Sequence, residues 1–225
     1  MITVHHLNNS RSQRVLWLLE ELGVPYEVRK HQRDAKTMLA PPELLKVHPL
    51  GKSPVITDGD LTVAETGAIV EYLVERYGNG RLAPAIGTPE RLHWRYWMHF
   101  AEGSAMPPLL LKLIFDRIPT QPMPFFVRPI ARAISAKVLE RMVTPNLTRQ
   151  LNFMESELGK TEWFAGNDFS AADIQMSFPL EAAVQRAGLT ATRPKLMAFL
   201  KRIHARPAYQ NALKRGGPYS FANSD

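Results

Sequence analysis

The chain of 225 residues contains no cysteine, and that single absence excludes a disulfide scaffold, a thiolate zinc site and a cysteine nucleophile. No apolar run approaches the ~20 residues that a membrane-spanning helix needs. The N-terminus also lacks the basic-then-apolar pattern of a secretion signal, so the expected location is the cytoplasm. Acidic residues are in the minority: 21 Asp and Glu face 28 Lys and Arg, a net charge of +7, which favours anionic partners. The positive charges are scattered rather than blocked, and no nucleic-acid motif or aromatic-basic stacking pattern accompanies them. No nucleic-acid partner is expected. Internal repeats and low-complexity segments are missing too. His5, His6, His99 and His204 have no neighbours at metal-ligand spacing, and no metal is expected.

What is present is organised around Lys46-Val47-His48-Pro49-Leu50-Gly51-Lys52-Ser53-Pro54-Val55-Ile56-Thr57-Asp58. Its prolines and glycine rule out a helix, whereas Val55-Ile56-Thr57 is a β-branched run entered at Pro54. Asp58-Gly59-Asp60 reads as a hairpin turn, Leu61-Thr62-Val63-Ala64 as the returning strand, and Glu65-Thr66-Gly67-Ala68-Ile69 as a helix opening. A strand edge and a helix N-terminus one hairpin apart suit a small peptide-like anion. Upstream, residues 2–7 read as a strand. Val15, Leu16, Leu18, Leu19 and Leu22 recur at helical spacing until Gly23 and Pro25, and Tyr26-Glu27-Val28-Arg29-Lys30 alternates as a second strand. The segment from Asp34 to Val47, broken by Pro41-Pro42, holds at most a short irregular helix. The order β-α-β-α-β-β-α within about 78 residues predicts an α/β layer of thioredoxin type.

Strand signals stop after Gly78-Asn79-Gly80, which places a domain boundary near residue 80 and predicts domains at 1–80 and 88–225. Thr88-Pro89-Glu90 predicts a helix start. Pro107-Pro108 are expected to kink or break that helix. A proline-rich connection follows, and then a helix from about Ile130 to Leu158. Phe169-Ser170-Ala171-Ala172-Asp173-Ile174 has the spacing of a capping box with a hydrophobic staple. The helix it opens is apolar nearly all round, as at the centre of an all-helical domain. Pro194 and Pro207 open two more helices, and the tail from Gly216 is expected to be loosely held.

Four features in this order resemble the cytosolic glutathione transferases across nearly the whole chain: Ser10-Arg11-Ser12-Gln13-Arg14-Val15-Leu16-Trp17, Pro49-Leu50-Gly51-Lys52-Ser53-Pro54, Glu65-Thr66-Gly67-Ala68-Ile69, and residues 169–174. The resemblance implies a thioredoxin-like glutathione-binding domain followed by an all-α domain. It further implies transfer of glutathione sulfur to an apolar electrophile, or reduction of an organic peroxide, in a detoxifying homodimer. The alternative is a binding or regulatory protein of the same fold without turnover.

By that resemblance Ser10 is the catalytic hydroxyl, the serine-type branch, because there is no cysteine and no tyrosine precedes Tyr26. Asn8 or Asn9 is the substitute at the sulfur, and a capping box with Gln13 is the competing structural role for Ser10. Glu65 takes the glutamyl α-amino group, Thr66 and the helix N-terminal amides take the glutamyl carboxylate, and Lys52 meets the glycine carboxylate. The backbone of Ser53 and Val55 beside Pro54 meets the peptide, for which Ser53-Pro54 is expected to be cis. Leu7, Asn8 and Met106 are assigned to the electrophile pocket.

Overall fold

The computed structural model describes residues 1–37 and 39–222. Four strands, β1 (Ile2–Leu7), β2 (Tyr26–His31), β3 (Val55–Asp58) and β4 (Leu61–Ala64), form one sheet in the order β2-β1-β3-β4. β1 runs parallel to β2 and antiparallel to β3, so that Val4 faces Val28 on one side and Ile56 on the other. The hairpin turn is Gly59-Asp60, with Gly59 at φ 58° and Asp58 still in β3. The parallel pair is joined through α1 (Ser12–Leu22), which Gly23 ends in the left-handed region. There the Gly23 and Val24 N–H groups donate to Glu20 and Leu19 carbonyls. The Pro41-Pro42 region forms only a 3₁₀ turn, Pro42–Lys46, and α2 (Thr66–Tyr77) closes the thioredoxin-like unit.

Every residue from Ser12 to Leu19 is buried. An amphipathic helix on a sheet would keep a polar face in water, but α1 also packs against α7 (Ala171–Arg186) and α9 (Pro207–Gly216) of the helical part. That part also contains α3 (Pro89–Phe100), α4 (Met106–Arg117), α5 (Arg128–Val138), α6 (Thr144–Glu157) and α8 (Pro194–His204). As expected, Thr88 caps α3 by accepting from the Arg91 N–H at 3.2 Å.

The structure corrects two expectations here. Of the expected kink or break at Pro107-Pro108, the break does not occur: a π turn at Ala101–Ala105 precedes them and α4 runs on to Arg117. The same device recurs where the predicted long helix meets Pro145: α5 and α6 are joined by a π turn at Leu139–Val143. A proline removes one i→i−4 bond and crowds the carbonyl four residues back, and the wider π turn relieves both.

α7 is the centre of the helical part, buried from Ala171 to Ala183. Its start is the predicted capping box, in which the Asp173 carboxylate accepts from the Ser170 and Phe164 N–H groups at 2.9 Å each. Pro179 lies inside it and cannot donate to the carbonyl of Gln175. Arg14 of α1 donates to that carbonyl instead, at 2.5 Å.

The second correction concerns the tail. Tyr219 and Phe221 are buried, the Tyr219 hydroxyl donates to Glu181 at 2.7 Å, and the Ser220 N–H donates to Asn9. Glu181 is itself buried in α7 and also receives the Tyr209 hydroxyl at 2.7 Å. A buried carboxylate that needs several donors therefore holds the tail down. Residues 223–225 of that predicted loose tail lie outside the described residues.

Candidate functional site

β1 ends at Leu7, and the chain turns through Asn9, at φ 50°, into α1. Asparagine is among the few residues that enter this region at low cost. The turn buries Ser10 at 4 % exposure. Its Oγ lies 2.7 Å from Ser12 Oγ and accepts from the Ser12 N–H at 3.2 Å. Ser12 Oγ is in turn 2.9 Å from His6 Nδ1 and accepts from the Leu7 N–H. The capping box with Gln13 does not form: the Gln13 N–H donates to the Ser10 carbonyl oxygen, not to its hydroxyl. Burial first, then Lys30 and His31, pushes His6 down to about 4, so its imidazole is neutral at neutral pH.

The facing wall is the loop before β3 and the start of α2. The Ser53 hydroxyl donates to the His5 carbonyl at 2.8 Å and accepts from Leu7 N–H at 3.3 Å, tying this loop to β1. The Ser53-Pro54 bond is cis. Glu65, exposed, holds φ 69° and ψ 125° immediately before α2, and Thr66 is buried at its first position. A non-glycine residue there is held by its surroundings rather than by preference. Lys52, Ser53, Pro54, Val55, Glu65 and Thr66 all line one cleft of about 220 Å³, together with Arg11 and Glu102.

Arg11 and Ser53 also border a second cleft of about 490 Å³, where Ser10 and Met106 join them. Ser10 lines the second cleft only, next in sequence to Arg11, which borders both. Leu7 is buried and lines neither cleft; its backbone N–H donates to Ser12 and Ser53, and its carbonyl accepts from the Ser12 hydroxyl at 3.3 Å. Asn8 accepts from the Arg33 N–H at 2.9 Å, and its neighbour Asn9 is the asparagine that lines the second cleft. A further hollow beside Leu82 and Phe169 carries acidic groups only, Glu90 and Asp168. It offers an anion no countercharge.

Between the clefts lies an ion cluster. Glu102, in the π turn before α4, pairs with Arg11 Nε at 3.1 Å and with the buried Arg14. Burial alone would raise the Glu102 carboxyl, but Arg14 and Arg11 outweigh it and hold the group below the usual carboxylate range. The cluster was absent from the sequence reading. One signal for it existed: an arginine among the apolar positions of α1 cannot be buried without a carboxylate partner.

Residues 1–75 match the description of the glutathione S-transferase N-terminal domain, and residues 122–207 that of its C-terminal domain. The chain belongs to the glutathione transferases. It is 37% identical over 217 residues to glutathione S-transferase 3 of Schizosaccharomyces pombe, covering 96% of this chain and 88% of that one. A glutathione S-transferase structure from Actinobacillus pleuropneumoniae superposes with a TM-score of 0.80 at 30% identity, covering 99% of this chain and 96% of the other. The glutathione transferase URE2P6 of Phanerochaete chrysosporium, solved with oxidized glutathione, gives a TM-score of 0.76 at 25% identity, with 96% of each chain covered. This glutathione transferase is accordingly an enzyme with glutathione as co-substrate. Among the described residues no group of three His, Cys, Asp or Glu is placed to hold a metal ion, and no helix is long and apolar enough to cross a membrane.

Proposed function

We propose that the smaller cleft holds glutathione and that Ser10 is the serine-type hydroxyl that stabilises its thiolate for attack on an electrophile in the larger cleft. The same thiolate reduces organic peroxides. The observation that carries this reading is that Ser10 lines the larger cleft with Met106 and with Arg11 and Ser53, the two residues that also border the smaller cleft of Lys52, Glu65 and Thr66. Glu65 takes the glutamyl ammonium, Thr66 and the α2 N-terminus its carboxylate, and Lys52 the glycine carboxylate. Backbone groups at Ser53 and Val55 meet the peptide.

The hydroxyl chain supplies the proton. With hydrogen on Nδ1, a neutral His6 donates to Ser12, the Ser12 proton turns from the Leu7 carbonyl at 3.3 Å to the nearer Ser10 oxygen at 2.7 Å, and the Ser10 proton is then free to point at sulfur. Donation to the thiolate lowers the pKa of the thiol, and a shift of about two units is worth roughly 2.7 kcal/mol. The enzyme then acts by holding nucleophile and electrophile together. The rest of the proposal is a domain division at 1–80 and 88–225, a homodimer, and cytoplasmic detoxification.

Ser10→Ala tests the central role. With Ser10 on the sulfur, the pH midpoint of kcat for an aryl halide rises by about one unit or more while glutathione affinity is nearly kept. An unmoved midpoint, with a stability loss of roughly 0.5–1.5 kcal/mol, would leave Ser10 only the structural role of accepting from the Ser12 N–H in the turn before α1.

A further inference from the structure

The larger cleft carries charge that sulfur transfer to a neutral electrophile does not require. Its floor is aromatic: the Phe178 and Phe221 rings lie 5.1 Å apart between centroids. Four guanidinium-bearing residues border that floor from four parts of the chain: Arg11 before α1, Arg33 after β2, Arg117 at the end of α4 and Arg186 at the end of α7. Arg11 sits 5.2 Å from the Phe178 centroid, and Arg186 5.3 Å from that of Phe221. Among the described residues no carboxylate lines this cleft.

Glu102, behind Arg11, is shared between Arg11 and Arg14, so its single charge offsets only one of the two. Burial first, then Arg117 and Arg11, lowers the Arg186 pKa, a sign that these like charges are close enough to disfavour one another. Gathering cations around a partly dehydrated aromatic floor costs free energy in the empty cleft, and a bound anion reverses that cost.

We infer that the electrophile of this enzyme carries an anionic substituent, a carboxylate or sulfonate on an aryl body. The ring stacks on Phe178 and Phe221, and the anion faces Arg186 and Arg117. The step is a substitution at the ring: the glutathione thiolate forms the carbon–sulfur bond, the carbon–halogen bond breaks, and the halide leaves with its electron pair. The thiol proton has already gone to solvent. The inference rests on the proposed conjugation for the reaction, whereas the charge preference is open to separate measurement.

Two measurements keep them apart, both at saturating glutathione so that cations serving glutathione itself are already engaged. In the first, kcat/KM is compared for 4-chloro-3,5-dinitrobenzoate and its methyl ester, each divided by that compound's own uncatalysed rate with glutathione, because the ester activates the ring more than the carboxylate does. In the second, the unreactive 3,5-dinitrobenzoate and its methyl ester are titrated by calorimetry. A charge-assisted contact in a half-buried site should favour each acid over its ester by about tenfold or more. Arg186→Gln with Arg117→Gln should collapse that ratio, and Arg186→Lys should keep much of it. Turnover of both compounds without preference for the acid overturns the anionic electrophile and leaves conjugation standing. Tighter binding of the unreactive acid without turnover of either chloride overturns conjugation and retains the anion site. An acid-to-ester ratio that survives the double arginine variant overturns the assignment to these residues.

Discussion

Glu102→Gln is the substitution whose cost can be worked most directly from the structure. It removes one negative charge and leaves two guanidinium groups behind, with different fates. Arg11 is 36 % exposed and can take up water, so its loss of a partner costs little. Arg14 is 1 % exposed and cannot. Breaking a buried pair by removing one partner costs about 3–5 kcal/mol. Because Glu102 itself is 33 % exposed, solvent already screens part of the attraction, and the lower end, about 3 kcal/mol, is expected.

All four tryptophans, Trp17, Trp94, Trp97 and Trp163, are buried, so urea unfolding followed by their fluorescence reads this loss. The sign with pH is fixed as well. A carboxyl whose folded pKa is depressed stabilises the fold above its unfolded value of 4.5, and that contribution disappears as pH falls through the folded value. Wild type and variant should therefore converge in acid. Adding Arg14→Met removes the stranded charge but leaves the Gln175 carbonyl without its donor. The double variant should recover part of the stability while retaining a deficit of about 1 kcal/mol or more for the unpaired carbonyl. A single-variant loss below about 1 kcal/mol at neutral pH would refute the reasoning, since it would mean Arg14 is not held as a buried charge.

His6 yields a second pH dependence. Its folded pKa, about 4, lies below the unfolded 6.5, so the unfolded chain binds more protons between those values and stability should fall by up to about 3 kcal/mol as pH drops from 6.5 toward 4. His6→Gln should flatten that part of the curve, and an unchanged slope would show that His6 is not the group titrating. The homodimer is the remaining expectation: Leu92, Tyr96, Leu110 and Ile114 of α3 and α4 are 43–67 % exposed apolar surface. Light scattering should return twice the 25.4 kDa chain mass at micromolar concentration, and the single mass would refute it.

The parts of this enzyme that were legible in its sequence are those that local chemistry specifies. Pro54 ahead of Val55-Ile56-Thr57 marked the start of β3, Gly23 marked the end of α1, and Ser170 with Asp173 marked the start of α7. Each of these signals lies within a few residues of what it governs. Lys52, Ser53, Pro54, Glu65 and Thr66 were proposed as glutathione contacts through resemblance, and they line one cleft. Arg14 with Glu102, Tyr219 with Glu181, and the arginines of the second cleft were not legible. Tyr219 and Glu181 are 38 positions apart and Arg14 and Glu102 are 88, and no periodicity records such a partner. Pro179 could have been read as a break in α7. What it does is free a carbonyl for another helix, which depends on where α1 lies.

The complete burial of α1 bears on the order in which the chain is made. Its second face is covered by α7 and α9, and Arg215 of α9 donates to the Tyr26 carbonyl at 2.6 Å, 189 positions away. During synthesis the sheet and α1 emerge first, and Leu16 lacks its neighbour Gly216, and Trp17 its neighbour Tyr209, until the last helix leaves the ribosome. Contacts of such sequence separation form slowly, and an apolar helix face left bare for that interval is a site for aggregation or chaperone binding. The nascent N-terminal unit should therefore be recognised as incomplete however well its sheet has formed. A ribosome stalled after residue 200 should present a chain far more open to protease at residues 12–22 than one that has released α9.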